Sequence, residues 1–188
     1  MSNKLVIFSA PSGSGKTTIV RNLLKRNLNL EFSISACTRQ PRKGEINGID
    51  YYFISTEEFK QKISEDQFVE WEEVYEGNYY GTLRSEIERI WKSGNNVLFD
   101  IDVKGGIRLK QMFNDCSLSI FVLPPSVDEL KKRLIARSSD DYETINKRVE
   151  KAAFELTFSN MFDVILLNDN LQEAEERAFK IVFDFINL

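Results

Sequence analysis

The sequence predicts an α/β fold, in which a P-loop core with a parallel sheet is flanked by helices. Apolar, strand-like runs alternate with helical patterns along the chain, which is typical of parallel sheets with right-handed crossovers. A loop of small residues also separates the first strand from the first helix. The predicted strands are Leu5–Ser9, Asn96–Asp102, Leu118–Leu123 and Val164–Leu167. The helices predicted to follow them are Thr17–Lys25, Gly106–Phe113, Val127–Arg137 and Leu171–Ile186.

The loop after the first strand carries the strongest chemical signal. Small residues let backbone N–H groups turn around a polyphosphate, and a helix N-terminus adds partial positive charge. In such a loop Lys16 reaches the β- and γ-phosphates, and the Thr17 hydroxyl holds Mg²⁺. The strict pattern begins with Gly, and Ala10 fits there if its φ is negative. The residues predicted to bind the polyphosphate are Ala10, Pro11, Ser12, Gly13, Ser14, Gly15, Lys16, Thr17 and Thr18.

Composition narrows the classes of function. The 188 residues are 42% hydrophobic and 29% charged, with a net charge of −4, so we expect a globular chain with no general attraction to nucleic acid or to an anionic membrane. No histidine is present, which excludes Ser-His-Asp and Cys-His sites. Cys37 and Cys116 have no metal-ligand spacing and fit a reducing cytoplasm. The longest uncharged run, 116–127, is too short to span a bilayer.

Two segments depart from the strand–helix alternation. The aromatic-rich segment 33–81 predicts a small inserted lobe of mixed α/β structure. Within it, Ser55 and Glu58 form a capping box that predicts a helix over Thr56–Ser64. A second capping box at Ser126 precedes two helices, about 126–137 and 142–160, that could form a hairpin moving as a lid.

Further motifs stand in a fixed order along the chain. They are Ser35–Glu45, Asn47–Phe53, Phe68–Trp71, Gly77–Thr82 and Phe99–Asp102. Together with the P-loop these motifs resemble guanylate kinase, in one collinear order from about Lys4 to the C-terminus. The resemblance implies a P-loop core (1–32, 83–125 and 161–188), a GMP-binding lobe (33–82) and a helical lid (126–160).

Recognition of guanine requires a particular set of side chains. The guanine edge offers the N1–H and N2–H₂ donors and the O6 acceptor, so a selective pocket needs carboxylates and a hydroxyl. Glu70 and Asp102 are the candidate carboxylates, and Ser35 and Thr82 the candidate hydroxyls. Strand alternation does not separate Glu70 from Glu72, and only the resemblance singles out Glu70.

Cationic and phenolic side chains are candidates for the phosphates. Arg39 and Arg42 can fork onto the GMP phosphate, with Tyr51 and Tyr80 as added donors; solvated surface cations are the alternative interpretation of the two arginines.

Asp100 ends an apolar strand, where a carboxylate can face Mg²⁺ through water; a polar strand-end residue is the alternative. The resemblance places Arg133, Arg137 and Arg148 against the triphosphate and the transferred group, although Arg133 could instead pair with Glu129. It also places the loop at Asn168 beside the adenine of ATP.

The resemblance therefore implies an ATP:GMP phosphotransferase that uses Mg²⁺. Lys16, Arg39, Arg137 and Arg148 would neutralise charge on the transferred group. A non-catalytic interaction module of the same fold is one alternative, although such modules usually carry a damaged P-loop. A kinase for adenylate or thymidylate is another. We expect a cytoplasmic monomer or small homo-oligomer.

Overall fold

The computed structural model describes residues 4–137 and 142–188, which form nine strands and seven helices. The strands are β1 (Leu5–Ser9), β2 (Leu30–Phe32), β3 (Ala36–Cys37), β4 (Tyr52–Phe53), β5 (Phe68–Tyr75), β6 (Asn78–Leu83), β7 (Asn96–Ile101), β8 (Ser117–Leu123) and β9 (Val164–Leu167). The helices are α1 (Lys16–Leu24), α2 (Thr56–Ser64), α3 (Arg84–Lys92), α4 (Val103–Phe113), α5 (Val127–Arg137), α6 (Tyr142–Leu156) and α7 (Leu171–Asn187).

Five strands form a parallel sheet in the order β2-β7-β1-β8-β9. The predicted α/β fold is confirmed, including the four core strands β1, β7, β8 and β9. All carboxyl ends of parallel strands lie at one edge of a sheet, so the loops after β1 and β7 lie side by side. In register, Ser9 pairs with Ile101, and Phe8 with Asp100.

Helices cover both faces of this sheet because its strands are apolar on both sides. On one face, Val6 and Phe8 pack with apolar residues of α1 and α7. On the other face, Leu5 and Ile7 pack with residues of α3 and α4, among them Ile90. β1 is therefore completely buried, which fixes the start of the loop that follows it.

A second sheet, in the order β4-β3-β6-β5, contains the strands of the segment predicted to be an inserted lobe. β5 and β6 form an antiparallel hairpin, and β3 pairs antiparallel with β6. Its own small core contains Phe59 of α2 stacked on Phe68, with ring centroids 4.2 Å apart. As predicted, α2 spans Thr56–Ser64, and the Ser55 hydroxyl accepts a bond from the Glu58 N–H.

The helices α5 and α6 pack on each other through Leu130, Leu134 and Ala152. One bond of the second predicted capping box is present, since the Glu129 N–H donates to the Ser126 hydroxyl over 3.1 Å, whereas the Glu129 carboxylate pairs with Arg133. The second helix was predicted to reach residue 160, but α6 ends at Leu156. A 3₁₀ turn over Ser159–Met161 follows it before β9.

Two core elements were not predicted from the sequence, and one core helix begins a turn earlier than predicted. β2 has three half-buried residues at the sheet edge, which is too short for an alternation pattern. α3 follows β6 directly, and the sequence analysis did not predict it. The helix predicted from Gly106 begins at Val103, because the Asp102 carboxylate accepts a bond from the Gly105 N–H and caps it.

The helices offer no candidate for crossing a membrane. In residues 4–137 and 142–188, none combines the length and the apolar character that a bilayer span requires.

Candidate active site

The loop between β1 and α1 has the geometry of a phosphate cradle. Gly13 and Gly15 have φ values of 93° and 89°, a left-handed conformation that side chains with a Cβ rarely adopt. Gly15 caps α1 without a side-chain bond, which leaves amide donors at the helix N-terminus for an anion. Ala10 is not among the described residues with positive φ, so the Ala at this position is compatible with the loop.

Lys16 and Thr17 both contact the carboxylate of Asp100. The Lys16 Nζ lies 2.7 Å from Asp100 Oδ1 and donates to the Ile101 carbonyl over 2.5 Å. The Thr17 hydroxyl donates to Asp100 Oδ2 over 2.8 Å. The parallel pairing of β1 with β7 produces this contact, since Asp100 stands near the end of β7 beside the loop. One carboxylate therefore orients both functional side chains of the cradle.

A cavity of about 710 Å³ opens over the cradle. Cations from three helices line it together with carboxylates, so its chemistry suits a polyanion accompanied by a cation. Its lining residues are Ala10, Pro11, Ser12, Gly13, Ser14, Gly15, Lys16, Thr17, Thr18, Arg21, Asp100, Ile101, Asp102, Arg133, Arg148, Lys151 and Glu155.

The arginines predicted in the lid are differently placed. Arg133 and Arg148 line the cavity. Arg133 also forms the ion pair with Glu129 that was its alternative interpretation, at 3.2 Å, and its guanidinium donates to the Asn168 carbonyl over 3.3 Å. Arg137 ends α5, and its side chain lies outside the described part of the chain.

Asn168 lies beneath the cradle with its side chain buried. Its Nδ2 donates to the Ser14 carbonyl over 2.7 Å, and its backbone N–H donates to the Leu123 carbonyl over 2.8 Å. A Cβ at Gly15 would stand 2.3 Å from the same Nδ2. The side chain therefore supports the P-loop from below, a contact that the sequence analysis did not anticipate.

Glu70 forms a buried carboxylate on the strand β5. Only 6% of the residue is exposed, and burial raises the pKa of its carboxyl to about 7. Opposite it in the β5–β6 hairpin, the Thr82 hydroxyl donates to Glu70 Oε1 over 2.8 Å. Glu72 instead pairs with Lys104 at 3.1 Å. Burial therefore separates the two glutamates that alternation could not.

Asp102 lies between the Glu70 carboxylate and the P-loop cavity. It lines the cavity, caps α4 through the Gly105 N–H at 3.0 Å, and its charge acts to raise the pKa of Glu70. A Cβ on Gly105 would stand 3.1 Å from Glu70 Oε2, so glycine at this position lets Glu70 approach the start of α4. The two predicted guanine-binding carboxylates therefore lie at the same helix N-terminus.

Arg39 is the centre of a third cluster. Glu45 binds its guanidinium in a bidentate pair at 2.6 and 2.7 Å, which lowers the pKa of Glu45 to about 2. The Arg39 Nε donates to the Tyr80 hydroxyl over 3.1 Å, and its guanidinium lies 4.9 Å above the centre of the Tyr51 ring. Three predicted GMP-binding residues therefore meet at a preorganised guanidinium.

Two predicted GMP-binding residues, Arg42 and Ser35, form hydrogen bonds through their backbone groups. Arg42 is exposed, and its backbone N–H donates to Glu45 over 2.7 Å. The Ser35 carbonyl accepts a bond from the Tyr52 N–H. Within the part of the chain that the structure describes, hydrogen bonds join neither the Arg42 guanidinium nor the Ser35 hydroxyl to Glu70 or Arg39.

Sequence reasoning assigned no role to four residues at these sites. Arg21 stands one helical turn after Thr17, and Lys151 and Glu155 follow Arg148 at helical spacing. These three residues could have been predicted, because each lies on the same helix face as a predicted ligand. Glu45 lies within a quoted motif, but nothing in its spacing shows that it pairs with Arg39.

The chain is similar to guanylate kinases over nearly its full length. The family model described as Guanylate kinase matches residues 2–184. The guanylate kinase of Porphyromonas gingivalis is 50% identical over 184 residues, covering 97% of this chain and 98% of that protein. The guanylate kinase of Bacteroides thetaiotaomicron is 48% identical over 187 residues, covering 100% of this chain and 92% of that protein.

A solved structure agrees with these relatives. The crystal structure of guanylate kinase from Anaplasma phagocytophilum superposes with a TM-score of 0.77 at 32% identity, covering 96% of this chain and 85% of that one. The sequence relatives, the matched fold and the intact cradle give the same answer: the chain belongs to the guanylate kinase family.

Proposed function

We propose that this chain transfers the γ-phosphoryl group of ATP to GMP, giving ADP and GDP. The observation that carries the proposal is the buried carboxylate of Glu70, which lies beside Thr82 and Asp102 near the P-loop cavity. Carboxylates can accept the N1–H and N2–H₂ donors of guanine. Adenine presents an acceptor nitrogen instead of the N1–H, and buried groups left unpaired in this way support strong discrimination.

The P-loop side would hold the phosphates of ATP. Backbone N–H groups at the start of α1 would surround the β- and γ-phosphates, and Lys16 would exchange its pair with Asp100 for a phosphate oxygen. The cavity cations Arg133 and Arg148 would face the same charge. The loop at Asn168 would lie beside adenine while its side chain supports Ser14.

Mg²⁺ fits the residues at this site. The Thr17 hydroxyl and the Asp100 carboxylate converge within 2.8 Å at the cavity wall, and both are the hard oxygen donors that Mg²⁺ prefers. We propose that these two residues hold the ion, Asp100 through water. The ion would neutralise charge on the phosphates of ATP.

The transfer needs no general base from the protein. The attacking oxygen of the GMP phosphate is already ionised near neutral pH, which is consistent with a chain that has no histidine. Arg39 would exchange its bidentate pair with Glu45 for the GMP phosphate, aided by Arg42, Tyr51 and Tyr80. Lys16, Arg39, Arg137 and Arg148 would neutralise the transferred group.

The same proposal assigns roles to the larger parts of the fold. Residues 33–82 would form the GMP-binding lobe and 126–160 the lid, and both would close over the core to exclude water. We propose that the enzyme acts in the cytoplasm as a monomer or small homo-oligomer.

A panel of acceptors tests the proposal directly. ADP formation from Mg-ATP is measured with GMP, AMP, dTMP, CMP and UMP supplied separately. Turnover with GMP alone is the expected result. Equal turnover with AMP would refute the guanine pocket, and a folded chain that binds GMP but turns over no acceptor would be an interaction module.

A further inference from the structure

A second buried carboxylate, Glu86, lies outside the sites described above. It stands in the first turn of α3, and its side chain is only 2% exposed. No part of the proposed transfer uses it. Because burying a carboxylate is costly unless its oxygens are fully bonded, its partners indicate what it does.

Four hydrogen bonds reach the Glu86 carboxylate. Oε1 accepts from the Ile34 N–H at 3.0 Å and from Arg89 at 2.9 Å. Oε2 accepts from the Tyr52 hydroxyl at 3.0 Å and from the Arg89 Nε at 3.0 Å. Burial acts to raise the pKa of Glu86, but the bonds from Arg89, Ile34 and Tyr52 hold it below its ordinary value. The carboxylate is therefore ionised and saturated with donors.

The Ile34 bond stands where the chain passes from one sheet to the other. Ser33 donates its N–H to the Leu98 carbonyl of β7, in the parallel sheet. The Ser35 carbonyl accepts from the Tyr52 N–H of β4, in the second sheet. Ile34 is the one residue between these two attachments, and its N–H is bound by Glu86. The carboxylate thus fixes the entry into the second sheet.

The return connection carries Glu86 itself. β6 ends at Leu83, and α3 begins at the next residue. Glu86 therefore lies where the chain leaves the second sheet, and its carboxylate binds Ile34, where the chain enters that sheet. Arg89 extends this attachment toward the core, because its guanidinium also pairs with Glu31 of β2.

The residues held by Glu86 are direct neighbours of proposed GMP ligands. Ile34 precedes Ser35, and Tyr52 follows Tyr51. We propose that Glu86 is a positioning residue for GMP, which sets Ser35 and Tyr51 through Ile34 and Tyr52 without touching the nucleotide. The inference rests on the proposed function, since it deepens the assignment of the GMP site.

Two mild variants test this role by steady-state kinetics. Glu86→Gln keeps the side-chain shape but replaces acceptors with an amide, and Tyr52→Phe removes only the hydroxyl. We expect the KM for GMP to rise about tenfold in Glu86→Gln and about threefold in Tyr52→Phe, with the KM for ATP within about twofold of wild type. Tyr79→Phe is the matched control, because it removes a phenolic hydroxyl from the same sheet that forms no bond to Glu86 in the described residues.

The double variant distinguishes positioning from stability alone. If Tyr52 acts through Glu86, the KM for GMP of the double variant equals that of Glu86→Gln alone, whereas independent effects multiply. A lowered melting temperature with an unchanged KM for GMP in both single variants overturns the inference. Equal rises in the KM values for GMP and ATP also overturn it.

The inference and the proposed function fail in different ways. A folded wild-type chain that turns over no GMP overturns the proposed function. Normal turnover in the wild type, together with unaltered GMP kinetics in Glu86→Gln and Tyr52→Phe, overturns the role of Glu86 alone.

Discussion

The proposed ATP side and the proposed GMP side are built in opposite ways. The ATP side begins with consecutive residues, 10–18, whose backbone forms the cradle. The GMP side takes single side chains from distant segments, such as Arg39, Glu70 and Asp102. A contiguous loop can be recognised from spacing alone, whereas a dispersed pocket exists only after β3, β5 and β6 have paired.

The two sides also differ in how their charges are compensated. The Lys16 Nζ of the ATP side forms an ion pair with Asp100 Oδ1 at 2.7 Å, so a phosphate of the nucleotide must replace Asp100 as the partner of Lys16. Glu70 of the GMP side is buried with a hydroxyl as its hydrogen-bond partner, and its pKa is raised to about 7. Guanine would supply the donors that Glu70 lacks. The comparison predicts that removing the charge lowers activity at both sides, and that only at Glu70 does it also stabilise the fold.

The largest effect is expected at the ATP side. Lys16→Ala should lower turnover by about 10³-fold, because it removes a cation from the transferred phosphoryl group. The fold should persist, as the side chain is not part of an apolar core. The control is Lys132→Ala, since the Lys132 side chain is 78% exposed. Activity of Lys16→Ala within tenfold of the wild type would refute the cradle assignment.

At the GMP side, Glu70→Gln should reduce kcat/KM for GMP by about 100-fold. An amide can accept one guanine donor but places its own donor toward the other. Acceptor kinetics measure the effect, and Glu73→Gln is the control because Glu73 is an exposed residue of the same strand. If the kinetics with GMP and AMP are both unchanged in Glu70→Gln, the guanine pocket lies elsewhere.

The raised pKa of Glu70 predicts that the KM for GMP changes about tenfold with pH. Protonation converts one of the two acceptor oxygens into a donor, so the KM for GMP should rise about tenfold between pH 8 and pH 6 as the carboxyl titrates near pH 7. The GMP phosphate also titrates near pH 6, and Glu70→Gln, which lacks the carboxyl, isolates that contribution. Parallel pH profiles for the two proteins would exclude Glu70 as the titrating group.

The Glu70 carboxyl should also make the stability of the fold depend on pH, in the opposite sense to its effect on GMP binding. Because the folded chain holds the Glu70 proton more tightly than the unfolded chain, protonated Glu70 favours folding below its ordinary pKa of 4.5, and this advantage is lost progressively as the pH rises from there through about 7. Glu70→Gln should match the wild type near pH 4, below the ordinary pKa of the carboxyl, and exceed its free energy of unfolding by about 1–3 kcal/mol at pH 8. Denaturant unfolding at the two pH values measures the difference, and equal stabilities at both would contradict it.

The contrast between the two sides explains what the sequence could predict. β1, β9, α2 and the P-loop follow from apolar runs, capping residues and glycine positions, which are local signals. The guanine carboxylates required the family resemblance, because the alternation of β5 left Glu70 and Glu72 equivalent. Burial then separated them, and burial depends on packing against α4.

The contacts that sequence reasoning missed join residues that are distant in sequence or lie in unpredicted elements. Glu45 holds Arg39 in a pair formed within a loop of irregular structure, and Asn168 reaches the P-loop across 154 residues of sequence. Glu86 stands in α3, a helix that the sequence analysis did not predict. Side chains that position a ligand-binding residue without contacting the ligand can therefore be identified only from the folded structure.

The smallest expected effect concerns this support of the ATP side. Asn168→Ala should raise the KM for ATP about fivefold and leave the KM for GMP unchanged, because it leaves the buried Ser14 carbonyl without its donor. Asn170→Ala is the matched control: it removes an asparagine bond that caps α7 at the Glu173 N–H, so it lowers stability without reaching the P-loop. If both variants raise the KM for ATP equally, the effect comes from the loss of stability. If the KM for ATP rises only in Asn168→Ala, the cradle depends on a side chain that is distant in sequence. In that respect the ATP side would resemble the GMP side, whose ligands all come from separate segments.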